Sequence, residues 1–208
     1  MKQGYVAKKR NTGNRKRRRI VLLAVEGKNK TETNYFRGFD SKDTKIVFAS
    51  GNDTDPINMA NSLVEDYKLN DLDDELGDAA FCVVDGDVSK TREKQVLEAD
   101  RIVQKIGSVI VSNPCIEVWF LCHFTPSSGQ FQSSKEAVNR LKEYIPGYEK
   151  NMKGIYNLLE DKQDFAIKNA KALDQINKTV GRQLHHYDYQ PSTEIYKIVN
   201  LFFDEKEK

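Results

Sequence analysis

Cysteine is scarce in this chain of 208 residues, which contains only three. Cys82, Cys115 and Cys122 are odd in number and lack CxxC spacing. Each lies in an apolar run, where a reduced cysteine behaves as a small hydrophobic side chain. The sequence therefore predicts neither a disulfide framework nor a zinc site.

Long apolar runs are also missing. No stretch approaches the roughly 20 apolar residues that a bilayer-spanning helix needs, and no apolar stretch with a cleavage site follows the basic N-terminus. We therefore expect a cytoplasmic protein without a membrane partner. Hydrophobic residues still make up 38% of the chain, which excludes collagen-like and wholly disordered proteins.

A phosphate-binding glycine loop that ends in Gly-Lys-Ser or Gly-Lys-Thr is absent as well. This loop holds the phosphates of ATP in one large class of ATPases, so we expect no ATP hydrolysis by that route. If the protein uses ATP, another subunit supplies the ATPase.

Acidic residues are absent from residues 1–19, which contain nine lysines and arginines. The whole chain is +2 and this tail is +9, so the remaining 189 residues carry −7. A segment with so many like charges is predicted to be disordered unless a polyanion organises it. We favour the phosphate backbone of a nucleic acid as that polyanion, and a solubilising or ribosome-binding tail is the alternative. The predicted phosphate contacts in the tail are Arg15, Lys16, Arg17, Arg18 and Arg19.

Buried strands and amphipathic helices alternate after the tail. Apolar runs predict strands, and apolar residues at helical spacing predict helices between them. This order favours an α/β fold with a mainly parallel four-stranded sheet, right-handed crossovers and flanking helices. The predicted strands are 20–25, 45–50, 79–84 and 108–111.

The second half of the chain is predicted to be mainly helical. Asn113 and Pro114 are typical of a helix start, and we expect that helix to reach Phe124. We divide the chain into the disordered tail 1–19, an α/β core 20–124 and a helical extension 125–208 that packs on the core. The further predicted helices are 133–145, 150–161, 163–180 and 192–203.

Carboxylates follow two of the strongest apolar runs. Glu26 comes after the first strand, and Asp85 and Asp87 come after the third, with Gly86 between them. The carboxyl ends of parallel strands meet at one edge of a sheet, so we expect these three side chains to converge without a basic residue among them. Such a cluster takes up protons unless a cation joins it, and oxygen ligands suit Mg²⁺ or Mn²⁺. The pattern predicts metal-assisted phosphoryl transfer.

Four motifs in the chain resemble known families. A strand followed by Glu-Gly, and a later strand followed by Asp-x-Asp, is similar to the Toprim domain of topoisomerases, primases and OLD-type nucleases. More narrowly, four segments resemble the RloB-like family, and the resemblance spans nearly the whole chain after the tail. These segments are 25–36 (VEGKNKTETNYF), 84–87 (VDGD), 113–124 (NPCIEVWFLCHF) and 191–193 (PST).

The resemblance implies a Toprim-like core and a metal-dependent nuclease of phage-defence loci, often encoded beside an ABC-type or AAA-type ATPase. Carried onto this chain, Glu26 is a metal ligand that also serves as general base. Asp85 and Asp87 bind the same one or two ions, which activate water and stabilise the leaving oxygen. Glu117 lies four residues after Asn113 on the predicted helix, and we expect a supporting or second-metal carboxylate there.

Other candidate residues keep two interpretations each. Lys28 and Lys30 suit phosphate contact, but equally weaken metal binding. Thr31 and Glu32 either begin a helix or contact phosphate or metal. His123 is a candidate catalytic acid, and a buried histidine bonded to the backbone is the alternative.

Lys150 and Lys153 are candidates for holding the scissile phosphate, with solvated lysines as the alternative.

Together these predictions favour a nuclease that cleaves DNA, or RNA such as tRNA. The alternative is a non-catalytic nucleic-acid-binding or sensor subunit of an ATPase complex. The sequence does not decide between DNA and RNA as the substrate. It also leaves open whether the protein forms a homo-oligomer.

Overall fold

The computed structural model describes residues 17–26, 30–51, 53–126 and 129–203. These residues form five strands, eight α-helices and three short 3₁₀ turns. The strands are β1 (Arg19–Val25), β2 (Thr44–Phe48), β3 (Ala79–Asp85), β4 (Ser108–Asn113) and β5 (Ser192–Thr193). The helices are α1 (Thr31–Phe36), α2 (Pro56–Leu69), α3 (Lys90–Val103), α4 (Glu117–Cys122), α5 (Ser134–Lys142), α6 (Ile155–Leu159), α7 (Gln163–Thr179) and α8 (Ile195–Phe203). The 3₁₀ turns are Arg37–Phe39, Asp74–Leu76 and Glu160–Lys162.

The sheet has the strand order β2-β1-β3-β4-β5. The pairings among β2, β1, β3 and β4 are parallel, and β5 pairs antiparallel with β4. Val25 pairs with Val83, and Asp85 pairs with Ser112, so the carboxyl ends of β1, β3 and β4 lie side by side. The predicted α/β fold with a mostly parallel sheet is confirmed. The predicted strand count of four is wrong, because β5 adds a fifth strand.

Helices cover both faces of the sheet because β1, β3 and β4 are apolar on both sides. Leu22, Cys82 and Val84 pack with the apolar stripes of α2 and α3 on one face. Val21, Leu23 and Ile110 pack on the other face with α1, α4 and the helices that follow Phe131. The C-terminal part therefore shares a hydrophobic core with the sheet and also supplies β5.

Local sequence explains where α2, α3 and α5 begin, because the side chain of the residue before each helix accepts a hydrogen bond from its first turn. The Asp55 side chain accepts hydrogen bonds from the backbone N–H groups of Ile57 and Asn58, and Pro56 takes the first position of α2. The prediction that Asn113 and Pro114 start a helix is wrong, because Asn113 is the last residue of β4 and α4 begins at Glu117. The Asn113 side chain instead joins two loops, because its Oδ1 accepts from Val88 N–H and its Nδ2 donates to the Tyr187 carbonyl.

The last residues of the basic tail are ordered. Arg17 binds the buried Asp78 carboxylate through two nitrogens, at 2.9 and 2.6 Å. Arg18 donates to Asp40, and Arg19 begins β1. The tail therefore ends before Arg19 rather than after it, and its disorder stays a prediction, since residues 1–16 lie outside the described residues.

The sequence analysis expects no membrane-spanning helix and no disulfide framework, and the described part of the chain bears on both expectations. No helix within these ranges has both the length and the apolar character needed to cross a bilayer. Cys82, Cys115 and Cys122 are buried free thiols.

Candidate functional site

The turn after β3 is fixed by the end of β4. Gly86 N–H donates to the Ser112 carbonyl and Asp87 N–H to the Pro114 carbonyl, both at 2.9 Å. A Cβ atom on Gly86 would lie 2.8 Å from the Asn113 side chain, so only glycine fits there. Asp87 has φ = 53°, is exposed and accepts a hydrogen bond from the Ser134 hydroxyl at 3.0 Å. The turn therefore holds Asp85 and Asp87 at the same edge of the sheet.

Asp85 is the centre of a group of carboxylates. Its Oδ1 accepts the Ile116 N–H at 2.9 Å, which ties the tip of β3 to the residue before α4. Burial raises the pKa of Asp85 well above its usual range, and the negative charges of Glu32, Glu117 and Asp87 raise the pKa further. Asp85 therefore takes up a proton more readily than an exposed aspartate does, and a positive charge near the group opposes this.

Glu117 reaches this group from α4, a helix in which every residue is buried. Its Oε1 accepts a hydrogen bond from the Tyr148 hydroxyl at 2.8 Å. Its Oε2 is buried and has no hydrogen-bond partner among the described residues. One oxygen is therefore positioned by Tyr148, and the other lacks a donor or a cation.

Glu32 reaches the group from α1 and is only 5% exposed. Its Oε2 is also buried without a partner in the described ranges. Burial and the nearby Glu117 charge raise the pKa of Glu32 to about 7. Glu32 therefore does more than begin a helix, because its carboxyl group interacts with the other acids.

Glu26 has a different environment from the one predicted. It forms an ion pair with Arg92, a residue of the first turn of α3. Arg92 also donates to the Asp85 carbonyl at 2.9 Å and to the Thr54 carbonyl at 2.5 Å, so its guanidinium group is fixed at the strand tips. The expectation that no basic residue lies among these carboxylates is wrong. Sequence reasoning missed Arg92 because only the packing of α3 on the sheet brings it there.

His123 does not fit the predicted role of catalytic acid. It is 1% exposed, and its Nδ1 lies 2.9 Å from the Trp119 carbonyl, so Nδ1 carries the proton of that hydrogen bond. Burial lowers the pKa of His123 to about 4. At neutral pH the ring is uncharged and has no extra proton to donate, so the alternative of a buried histidine bonded to the backbone is the better description.

The predicted nucleic-acid contacts near the carboxylates differ in exposure. Lys30 is exposed just before α1, and Lys150 and Lys153 are exposed in the segment before α6. Thr31 is buried, and its hydroxyl oxygen accepts the Asn151 N–H at 3.1 Å. Lys28 lies outside the described residues.

The tail arginines that the structure describes bind this chain itself. Arg17 and Arg18 pair with Asp78 and Asp40, respectively. Arg19 donates to the Thr44 hydroxyl and to the Leu201 carbonyl. Their predicted contact with phosphate stays a prediction, as it does for Arg15 and Lys16, which lie outside the described residues.

The group of carboxylates around Asp85 thus consists of Glu32, Asp85, Glu117 and the more exposed Asp87. Glu26 pairs with Arg92 instead. Across the described ranges, no set of three or more His, Cys, Asp or Glu side chains is arranged to hold a metal ion by itself. Two carboxylates, with water and phosphate oxygens in the remaining positions, still suit Mg²⁺, which keeps several waters when it binds to proteins. The two partnerless oxygens of Glu32 and Glu117 fit this kind of site.

The comparisons with known proteins agree with the sequence motifs. No curated protein and no solved structure matches the chain. A family model described as RloB-like protein matches residues 21–202, which covers all of the strands and helices described above except the first two residues of β1 and the last residue of α8. The chain is therefore a member of the RloB-like protein family.

Proposed function

We propose that this chain is a Mg²⁺-dependent or Mn²⁺-dependent nuclease with a Toprim-like core. One observation carries the proposal: Glu32 and Glu117 each have a buried carboxylate oxygen without a partner among the described residues, next to Asp85. Burial of an unpaired carboxylate is unfavourable, and a divalent cation relieves the cost for several carboxylates at once. In this proposal two of the carboxylates of Asp85, Glu32 and Glu117 supply the cation's protein ligands, and the third lies beside them with Asp87.

The cation, when bound, supplies charge for the phosphodiester group and activates water for attack. The side chains around it have separate tasks. Glu32 takes up a proton near neutral pH in the metal-free site, because its pKa is about 7, and a bound cation would favour the ionised form that serves as a ligand. Tyr148 orients Glu117, and Lys150 and Lys153 contact the phosphate. Glu26 joins the ligands only where its ion pair with Arg92 opens.

Membership in the family supports a proposed biological role. The RloB-like resemblance implies an effector of a phage-defence system that works with an ABC-type or AAA-type ATPase encoded nearby. The chain has no Gly-Lys-Ser or Gly-Lys-Thr loop of its own, which supports an ATPase on a separate protein. DNA and structured RNA such as tRNA are the substrates to compare.

The test is cleavage by the full chain with Mn²⁺, with and without the neighbouring ATPase. Plasmid DNA, single-stranded DNA and total tRNA are the substrates, and Asp85→Asn is compared with Asp43→Asn. Asp43 is an exposed acid just before β2, at the amino ends of the parallel strands and therefore away from the carboxylates. We expect Asp85→Asn to lower the cleavage rate at least about 100-fold without lowering the thermal transition, because the change removes a repulsive buried charge. Full activity of Asp85→Asn would contradict the proposal.

A second candidate function is a non-catalytic sensor or nucleic-acid-binding subunit. The Glu26 to Arg92 ion pair favours it, because this pair occupies one of the predicted metal ligands. The same assay separates the two functions. A stable complex with the ATPase, combined with no cleavage under any divalent metal, would support the sensor.

A further inference from the structure

The segment from Tyr148 to Asn151 connects α4, which carries Glu117, with α1, which carries Glu32. The Tyr148 hydroxyl donates to Glu117 Oε1 at 2.8 Å. On the other side, Asn151 N–H donates to the Thr31 hydroxyl at 3.1 Å, and the Asn34 side chain donates to the Asn151 carbonyl at 2.9 Å. The backbone of Lys150 is therefore held between Glu117 and the start of α1, where Glu32 follows Thr31.

Lys150 lies in the electric field of these acids. Partial burial alone would lower the pKa of Lys150, but the charges of Glu117, Asp85 and Glu32 outweigh burial and raise the pKa. The effect is mutual, because the Lys150 charge opposes the rise in the pKa of Glu32 and of Asp85. The lysine is nevertheless exposed to solvent, so its long side chain has room to turn away.

We propose that Lys150 is the resident counter-ion of Glu32, Asp85 and Glu117, and that a divalent cation displaces its ammonium group toward the substrate phosphate. The inference rests on the proposed function, because it assumes that the same carboxylates bind the cation. Two positive charges compete for one group of acids, so the lysine lowers the affinity for the metal. The freed ammonium group then binds the phosphate, so the lysine raises the rate of cleavage.

This exchange has a signature that a purely structural lysine would lack. Lys150→Met keeps the length of the side chain and removes the charge, whereas Lys150→Arg keeps a charge. Lys105→Met is the matched control. Lys105 is an exposed lysine just before β4, at the amino ends of the parallel strands, whereas the carboxylates lie at their carboxyl ends. Mn²⁺ affinity of the full chain, measured by electron paramagnetic resonance of free Mn²⁺, gives a readout that does not depend on turnover.

We expect Lys150→Met to bind Mn²⁺ about tenfold more tightly than the wild type, as removal of a nearby positive charge predicts. Lys150→Arg should stay close to the wild type, and Lys105→Met should match it. Cleavage by Lys150→Met should fall although its metal affinity rises. Thermal transitions of the variants confirm that each one is folded.

The outcomes separate the two proposals. If the wild type and Lys150→Met bind Mn²⁺ with equal affinity, or the variant binds it more weakly, the counter-ion role is wrong and the metal site stands. If the wild type binds no Mn²⁺ even at millimolar concentration, both the counter-ion role and the metal site are wrong.

Discussion

Glu32 is a carboxyl group whose protonation controls the charge of the candidate site. It lies on the buried face of α1 with Tyr35 and Phe36, and its pKa is raised to about 7 by burial and by Glu117. Below this pH the side chain is neutral and tolerates burial. Above it, a negative charge is added beside Asp85 and Glu117, so the metal-free protein is expected to resist deprotonation there.

This shift predicts how stability changes with pH. The folded pKa of Glu32 lies above its ordinary value of 4.5, so the folded state binds more protons than the unfolded state between these two values. In the presence of EDTA, the free energy of unfolding should therefore fall as pH rises from about 5 to 8. Glu32→Gln should remove up to about 3 kcal/mol of this fall, since one pKa unit corresponds to about 1.4 kcal/mol.

Urea denaturation at pH 5 and pH 8 measures the effect, and Glu136→Gln is the control because Glu136 is an exposed acid in the first turn of α5. The same pH dependence in the wild type and in Glu32→Gln would show that Glu32 is not protonated in the folded protein.

The residue scale also shows a signal that the sequence analysis did not use when it left Glu32 with two interpretations. Glu32 precedes Tyr35 and Phe36 by three and four residues, so the helical period alone places it on their buried face. That signal favours a functional carboxylate over a surface helix start. The ion pair of Glu26 could not be predicted, because Arg92 reaches it through the packing of α3 beside the sheet rather than through any local spacing.

At the scale of elements, His185 connects α3 to the C-terminal part of the chain. Its two ring nitrogens lie 2.6 Å from Asp100 of α3 and 2.6 Å from Glu194, which directly follows β5. Glu194 is buried and also accepts the Val111 N–H of β4. The histidine therefore contributes to holding β5 and α8 against the sheet.

Protonation of His185 makes this connection dependent on pH. Burial alone would lower the pKa of His185, but the hydrogen bonds to Asp100 and Glu194 outweigh burial and raise the pKa to about 9. The stabilisation is therefore complete below about pH 6.5, the ordinary histidine value, and is lost as pH rises through about 9. His185→Gln should cost about 2 kcal/mol at pH 6, the usual range for hydrogen bonds to charged groups, and much less at pH 10.

Thermal or urea denaturation across this range tests the prediction. His186→Gln is the matched control, because the His186 ring is more exposed and its Nδ1 lies 3.7 Å from the nearest carboxylate oxygen, on Glu93. A stability difference between the wild type and His185→Gln that stays constant from pH 6 to pH 10 would show that folding does not raise the pKa of His185.

The elements differ in how well the sequence predicted them. The four parallel strands were predicted to within two residues at each end, because each is a continuous apolar run between polar residues. β5 has only Ser192 and Thr193, which carry no apolar signal, and it exists through its pairing with β4. Asn113 and Pro114 resemble a helix start in isolation, but the Asn113 side chain bonds two distant loops instead.

At the scale of the whole molecule, the described end of the basic tail, residues 17–19, and the candidate site lie at opposite ends of β1. β1 begins at Arg19, where the tail joins the fold, and ends at Val25, next to Glu26. Seven residues of strand separate the two ends by about 20 Å. The tail is therefore suited to hold a polyanion beside the fold, whereas Lys30, Lys150 and Lys153 lie at the edge that carries the acids.

Removal of residues 1–16 tests this division of tasks. The deletion takes away six of the nine positive charges of the tail. We expect nucleic-acid affinity to fall, and the slope of log K against log salt to decrease by up to about 5, because each phosphate contact contributes about 0.9. Fluorescence anisotropy at several salt concentrations measures both quantities.

Arg17→Ala is the comparison for that deletion. Arg17 pairs with Asp78, so this change should lower the thermal transition and leave the salt slope nearly unchanged. If the deletion leaves the salt slope unchanged, the tail does not bind phosphate.

The central claim is that Asp85, Glu32 and Glu117 together bind a divalent cation. Anomalous diffraction from crystals soaked in Mn²⁺ tests it most directly, because the signal locates the ion without relying on turnover. The account predicts a peak at coordination distance from Asp85 and from at least one of Glu32 and Glu117. A peak elsewhere only, or no peak at saturating Mn²⁺, would contradict it.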